Sequence, residues 1–590
     1  MNSNAFLVFV LQATAAMTLA GWTPTLLAQT PSTPKREVRA VWVTTAAGLD
    51  WPKSLDRREQ QRGLQSIVQK LRRAHFNTVY FQVRARGDAY YRSRYEPWAE
   101  NLTGTLGKDP GWDPLQFLLT EAHAAGIEVH AWFNVYKIRG PQPVKPSIPP
   151  HPSLAFPAWV REVDGEAWLD PGTPAVRMYL EDVALDLIRT YDLDGINFDF
   201  LRYPGREFQD NESYARFGRG MARDEWRRMN ITRFVKEFYE KAATVKPMLK
   251  IGCAPLGVFD GDSGIGSAGS YHDYYQDAPG WLRAGIMDYV SPQIYWNLGS
   301  SPGDPDFALL ARRWTAAAGG KHVYTGIAAY KPEVLKEVPQ QIDSARSAGA
   351  SGQAFFRYEN IQTFERLYRR YDSPALIPPM AWKDAIPPEA PTGLMAAEVA
   401  TNVFRLTWTP PVRAGDGDTA RYYAVYRSVS PAISFTSPSS IVAVASNPLP
   451  SWVDTVSSPS GLSYTYAVTA FDKGNNESEP SNASTVTSQA LLALRQKIAG
   501  ITSLSASVSS VDGRPALVAY RLSQRVAVSL DIVGGGETTR DSLVATLVQK
   551  TQERGTYVVA LTGLTFTPGA YVLRLLAGTT ILEQPVFVRK

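Results

Sequence analysis

Short apolar runs alternate with amphipathic stretches from Glu37 to Tyr371. Val38 to Val43 opens the series as a strand. From about Arg57 to Ala74, the residues Leu64, Ile67, Val68 and Leu71 recur at three- and four-residue spacing, the period of one helix face. Thr78 to Val83 is the second apolar run and ends in Arg84. Glu128 to Phe133 is the third and ends in Asn134. Gly195 to Phe198 is the fourth and stops abruptly at Asp199. Leu249 to Ala254, Tyr289 to Tyr295, Val323 to Ile327 and Gln353 to Phe356 bring the number to eight. Helical patterns such as Thr173 to Tyr191 and Arg223 to Val245 lie between them. This alternation predicts a parallel (β/α)8 TIM barrel over residues 36–375.

The pattern then changes. Residues 376–389 are Pro-rich and read as a linker, which would make the barrel separable from the C-terminal region. Beyond it come short strands of period two, among them Phe404 to Trp408 and Tyr464 to Val468. Leu462 and Tyr466 sit as a tyrosine corner would. With Trp408 and the ending DKGNNESEPSN, residues 390–488 resemble a fibronectin type III domain. Residues 500–590 form a second all-β unit, with a turn and strand from Pro568 to Leu575. Its layout resembles the immunoglobulin-like sorting or attachment domains of secreted proteins. The expected fold class is multidomain: a TIM barrel followed by two β-sandwich domains.

The apolar run Ala5 to Ala20, followed by small and apolar residues to Ala28, reads as a secretory signal peptide over residues 1–28. No later run reaches the length of a membrane span. The expected location is secreted, periplasmic or cell-surface, with attachment through the C-terminal β domains.

Composition narrows the chemistry. A net charge of +5 on 590 residues leaves no basic stripe for nucleic acid. The single cysteine, Cys253, forbids an internal disulfide and a Cys-based metal site. The six histidines are scattered; His123 and His130 lack zinc spacing and read as helix-face or core residues. No metal or cofactor is expected. Aromatic residues make up 11% of the chain, which suits a surface that stacks on sugar rings.

Asp199 is the focus. A carboxylate closing an apolar strand needs partners, because a bare buried charge is costly, and barrel strands carry functional groups at their C-terminal ends. Arg202, three residues on, is expected to hold Asp199 ionised and lower its pKa. The structural alternative is an Asp–Arg pair that ties strand to loop.

Six segments carry a resemblance: REVRAVWVTT, FQVRARGDAYYRS, HAWFNVYKI, DGINFDFLRYP, SPQIYW and GQAFFRYEN. In this order and at barrel-strand spacing they resemble the glycosyl hydrolase-like family 10, over roughly residues 36–372. Some members carry a second Asp directly after the strand-four Asp; others carry Asp-Tyr-Ile-Arg-Tyr-Pro. With Phe200 and Leu201, this chain is of the second type. The resemblance implies an exported glycoside hydrolase acting on a polysaccharide, with amino-sugar glycans and peptidoglycan strands as candidates. Glycoside cleavage usually needs two carboxyl groups. Asp199 is the first candidate, as nucleophile or base. Asp88 is second because its RGDAYY context matches the family motif, then Glu359 just past strand eight. Asp260 and Asp262 lie in a Gly-rich loop after strand five. Arg84, Asn134 and Gln293 can hydrogen-bond sugar hydroxyls or an acetamido group. Arg202 and Tyr203 join them as substrate-binding candidates, and Trp42, Tyr295 and Trp296 can offer an apolar ring face. The competing reading is a non-catalytic carbohydrate-binding surface protein on a barrel scaffold.

Overall fold

A computed structural model describes residues 33–588, apart from 260–268, 300–303 and 362–369 in the barrel region and 401, 447–449, 457–462, 488–500, 508–516, 523–524, 535–542, 561–568 and 578–579 beyond it. The signal-peptide reading, Asp260, Asp262 and Leu462 fall outside the described residues.

Eight strands close into a barrel: β1 (Val38–Val43), β2 (Thr78–Arg84), β3 (Glu128–Asn134), β4 (Gly195–Asp199), β5 (Lys250–Cys253), β6 (Tyr289–Val290), β7 (His322–Ile327) and β8 (Gly352–Phe355). They run in sequence order and pair in parallel, β8 returning to β1. Every residue of these strands is buried, which is why they read as continuous apolar runs. Helix α1 (Arg57–Arg73) turns Leu64, Ile67, Val68 and Leu71 inward, and Asp56 caps it by accepting the Glu59 N–H. Strand β6 is much shorter than Tyr289 to Tyr295. Pro292 has no N–H for a continued ladder, and the chain turns, with the Ile294 N–H donating to the Pro292 carbonyl at 2.8 Å. Tyr295 and Trp296 therefore sit in the loop after β6.

The barrel interior is filled by Trp42, Tyr80, Trp132, Tyr289 and Tyr324, joined by Ile377 and Met380 from the Pro-rich stretch. That stretch is a packed strap rather than a free linker. Its Leu376 exchanges backbone hydrogen bonds with Lys35 and Glu37 at 2.9 and 2.8 Å. Trp382 donates to Asp288 at 2.9 Å, and Lys383 pairs with the same carboxylate at 2.9 Å. Asp288 immediately precedes β6, so the strap crosses the N-terminal foot of the barrel.

Next in the chain is a seven-strand sandwich. Thr392–Ala400, Val403–Thr409 and Ser451–Thr455 face Tyr422–Ser428, Ile441–Ser446, Ser463–Phe471 and Ser484–Thr487. Phe404, Leu406, Trp408, Tyr423 and Tyr466 form its core. This sandwich docks on the foot through charged and polar contacts. Arg421 reaches Asp192 at 2.9 Å and Asp194 at 3.2 Å. Lys473 reaches Asp192 at 2.6 Å, and the Asn475 amide donates to the buried Glu128 at 3.0 Å. A last unit, from Ile501 to Val588, contains a three-stranded and a four-stranded antiparallel sheet. The C-terminal ends of the strands lie at the opposite end of the barrel, where the described residues leave a cavity. A small sheet of Lys137–Arg139, Val160–Val163 and Glu166–Leu169 rises beside it from the loop after β3.

Candidate active site

Along β4 the side chains alternate. Ile196 and Phe198 are core residues, Phe198 packing edge-on against Phe234 and Phe238. Asn197 and Asp199 share the other face. Asn197 donates to the Tyr289 hydroxyl at 3.4 Å inside the barrel, and Asp199 stands one layer higher, at the open mouth. The next residue, Phe200, has φ 49°, a left-handed conformation that costs a bulky side chain energy. That turn brings the Phe200 N–H onto Asp199 Oδ1 at 2.7 Å. Gln293 donates to the same oxygen at 3.3 Å and to the Ala254 carbonyl at 3.1 Å.

Asp199 is 7% exposed, and burial raises its pKa above the ordinary aspartate value. Arg202, the Phe200 N–H, the Trp132 indole and Lys137 pull the other way without reversing the shift. The expectation that Arg202 would hold this carboxyl low is thus corrected. Arg202 forms no direct ion pair with it; the guanidinium lies among the rings of Phe200, Tyr274 and Trp168, at 5.1, 5.4 and 5.9 Å.

Asp199 lines a cavity of about 370 Å³. Trp42, Trp132, Tyr295, Tyr330 and Phe356 form its aromatic walls, with Phe356 central at 5.8 to 6.1 Å from Tyr295, Tyr330, Trp42 and Trp132. Asn134, Gln293, Arg86, Lys137 and Arg202 supply polar and cationic groups. Two wall atoms are buried without a hydrogen-bond partner of good geometry: Trp132 Nε1 and Asn134 Oδ1. They are two residues apart on β3 and so share a face. The Asn134 amide nitrogen is already committed to the Ala85 carbonyl at 2.7 Å, which leaves its oxygen as a free acceptor. Among the described residues, Asp199 is the one carboxylate lining this cavity. A second cavity of about 330 Å³ adjoins it and shares Ala46, Ala85 and Arg86.

Several other predicted residues lie elsewhere. Asp88 lines the second cavity, where its Oδ1 accepts the Arg86 N–H at 2.8 Å and burial raises its pKa. Glu359 lies just after β8 and is bound by Arg357 at 2.9 Å, which lowers its pKa; it does not line Asp199's cavity. Arg84 is no sugar binder. It is fully buried, forks onto Glu96 at 2.6 and 2.7 Å and donates to the Asn134 and Val135 carbonyls, so no donor faces the mouth. Tyr203 belongs to the core, its ring against Phe208 and Tyr275 and its hydroxyl accepting from Asn230. Trp296 packs against the barrel–helix core, while its neighbour Tyr295 lines the cavity. Asn134, Arg202, Gln293 and Tyr295 do converge on Asp199's cavity. Sequence reasoning missed Trp132, Lys137, Phe356 and Arg86. Of these, Trp132 was within reach, since strand alternation puts it on the face of Asn134.

A family model described as glycosyl hydrolase-like 10 matches residues 37–343. The glycosyl hydrolase YngK of Bacillus subtilis (strain 168) is 31% identical over 488 residues, 76% of this chain and 93% of the relative. The glycosyl hydrolase DigH of Escherichia coli (strain K12) is 33% identical over 342 residues, 53% of this chain and 77% of the relative. Among solved structures, the glycoside hydrolase domain of PgaB (BpsB) from Bordetella bronchiseptica overlaps 58% of this chain and 100% of that domain, with 16% identity and a TM-score of 0.42. The family match spans most of the barrel and the YngK alignment continues into the sandwich: the chain belongs to the glycosyl hydrolase-like 10 family and is a glycoside hydrolase.

Proposed function

We propose that this enzyme is exported and cleaves an amino-sugar glycan, peptidoglycan strands first among the candidates, with Asp199 protonating the leaving oxygen. The observation that carries the reading is Asp199 itself: a buried carboxyl at a strand end, biased towards its protonated form, inside an aromatic-walled cavity. A carboxyl whose proton is held more firmly than usual by burial is suited to general-acid work. As the anomeric C–O bond breaks, the proton of Asp199 passes to the departing oxygen. Water adds its hydroxyl to the anomeric carbon, and its remaining proton restores the acid. The Asn134 Oδ1 offers an acceptor for the N–H of an acetamido group. The aromatic walls suit the apolar faces of sugar rings.

The export reading rests on the apolar run Ala5 to Ala20. The seven-strand sandwich, read as fibronectin type III-like, and the last β unit would serve attachment. Product analysis on a panel of amino-sugar and neutral glycans, with Asp199→Asn as control, tests the activity. Cleavage by the variant at the wild-type rate would remove Asp199 from the chemistry. N-terminal sequencing of the native protein tests export, and a mature chain beginning at Met1 or Asn2 in the cytosol would sink it.

A further inference from the structure

Of the three residues that line both adjoining cavities, Ala46, Ala85 and Arg86, Arg86 is the one with a charged side chain. Its main chain is held at both polar groups. The N–H donates to Asp88 Oδ1 at 2.8 Å, and the carbonyl lies 2.6 Å from His151 Nε2. His151 is 2% exposed. Its Nδ1 accepts the Ser153 N–H at 3.2 Å, so Nε2 carries the hydrogen given to Arg86. Gly87 leaves room for this, since a Cβ there would stand 2.8 Å from His151 Nε2. The guanidinium itself lies over the Gly140 backbone, where a Cβ would come within 2.6 Å of Nη1.

The main chain of Arg86 is thus pinned while its charge is left open. Among the described residues, no carboxylate lies within ion-pair distance of the Arg86 guanidinium, and its side chain is exposed. The other cations of the second cavity are engaged, Lys145 with Glu100 at 2.8 Å and Arg139 with Glu162. Asp88 turns one oxygen to the Arg86 backbone. The lining carries three cations, Arg86, Arg139 and Lys145, against two carboxylates, Asp88 and Glu100. A planar guanidinium fork without a partner is a ready receptor for a carboxylate.

We infer that the two cavities form one cleft for successive sugar units, and that Arg86 at their junction selects a glycan carrying a carboxylate beside the unit held at Asp199. The inference rests on the glycosidase reading above and adds the group that is recognised and the residue that reads it. The carboxylate could be borne on a lactyl ether, as in peptidoglycan strands, or on a uronic acid, and the two differ in where it projects from the ring.

The test compares four probes: peptide-free peptidoglycan strands, the same strands with carboxylates converted to methyl amides, neutral chito-oligosaccharides, and oligosaccharides alternating uronic acid with amino sugar. kcat/KM is measured for wild type, Arg86→Gln and Arg86→Lys, and binding to the Asp199→Asn protein is followed by calorimetry. The wild type should prefer a carboxylate glycan to its amidated or neutral counterpart by about tenfold or more, mainly through KM, as expected of a charge-assisted hydrogen bond. Arg86→Gln should erase that preference, and Arg86→Lys should restore part of it in a salt-sensitive form. The carboxylate glycan that is preferred identifies the source. Equal turnover and equal binding of carboxylate and amide strands by the wild type would overturn the inference while leaving the glycosidase reading intact. Absence of cleavage of every glycan would sink the glycosidase reading, and the calorimetry would still decide the role of Arg86.

Discussion

Asp199 and Arg84 both end apolar strands, and their fates differ because of their neighbours. Asp199 has only partial partners and opens onto a cavity; Arg84 is consumed by Glu96. Nothing in the spacing of Glu96, twelve residues further on, shows that the loop folds back to meet Arg84. The strand-end position was therefore legible and the pairing was not. Arg84→Met should lower stability by about 3–5 kcal/mol, because it strands the Glu96 charge in a buried site; thermal or denaturant unfolding checks this. Asp199→Asn should keep the fold and lower kcat at least about a hundredfold, the usual scale for loss of an acid–base group. The sign of the Asp199 shift sets the pH dependence. A general acid acts when protonated, so activity should fall as pH rises through the raised pKa of Asp199. A kcat profile that instead rises with pH across this range would return Asp199 to the nucleophile or base role first expected of it.

At the scale of elements, the barrel strands were readable because burial on both faces leaves uninterrupted apolar runs. The reading failed at β6, where Tyr289 to Tyr295 looks like one strand but only Tyr289–Val290 pairs. The mouth-side halves of β3 and β4 supply the site, and their foot-side starts hold the sandwich. Glu128 opens β3, and burial works against its charge, yet Lys250, at 2.5 Å, and His130 hold its carboxyl near a pKa of about 2, below the ordinary 4.5. Asp194, just before β4, is likewise held low, against burial, by His123 and Arg421. A carboxyl depressed on folding stabilises fully above its ordinary pKa and loses that contribution as pH falls through the folded value. Stability should therefore decline between about pH 4.5 and about pH 2 as Glu128 titrates. Melting temperatures measured across this range check it, and Arg421→Ala should lower stability at neutral pH by about 1–3 kcal/mol through the charge-assisted bonds it removes.

For the whole molecule, the Pro-rich composition of residues 376–389 suggested a free linker, because composition reports chain stiffness and not what the chain packs against. Ile377 and Met380 close the barrel interior, and Leu376 is bonded to the residues flanking Arg36. A chain ending at Tyr371 should therefore be less stable than one ending at Thr487, which keeps strap and sandwich. Equal melting temperatures for the two would show the strap to be dispensable.

The docking at the foot has a mechanical side. Tension on the chain beyond Thr487 would reach the sandwich first and pass into the barrel along parallel routes. One is the covalent strap; the others are Arg421 to Asp194, Lys473 to Asp192 and Asn475 to Glu128. These contacts grip the starts of β3 and β4, the strands whose far ends carry Asn134 and Asp199. Load shared in this way is taken up at the opposite end of each strand from Asn134 and Asp199. A pull on the C-terminal domains would therefore be spent at the foot before it could draw the cleft apart.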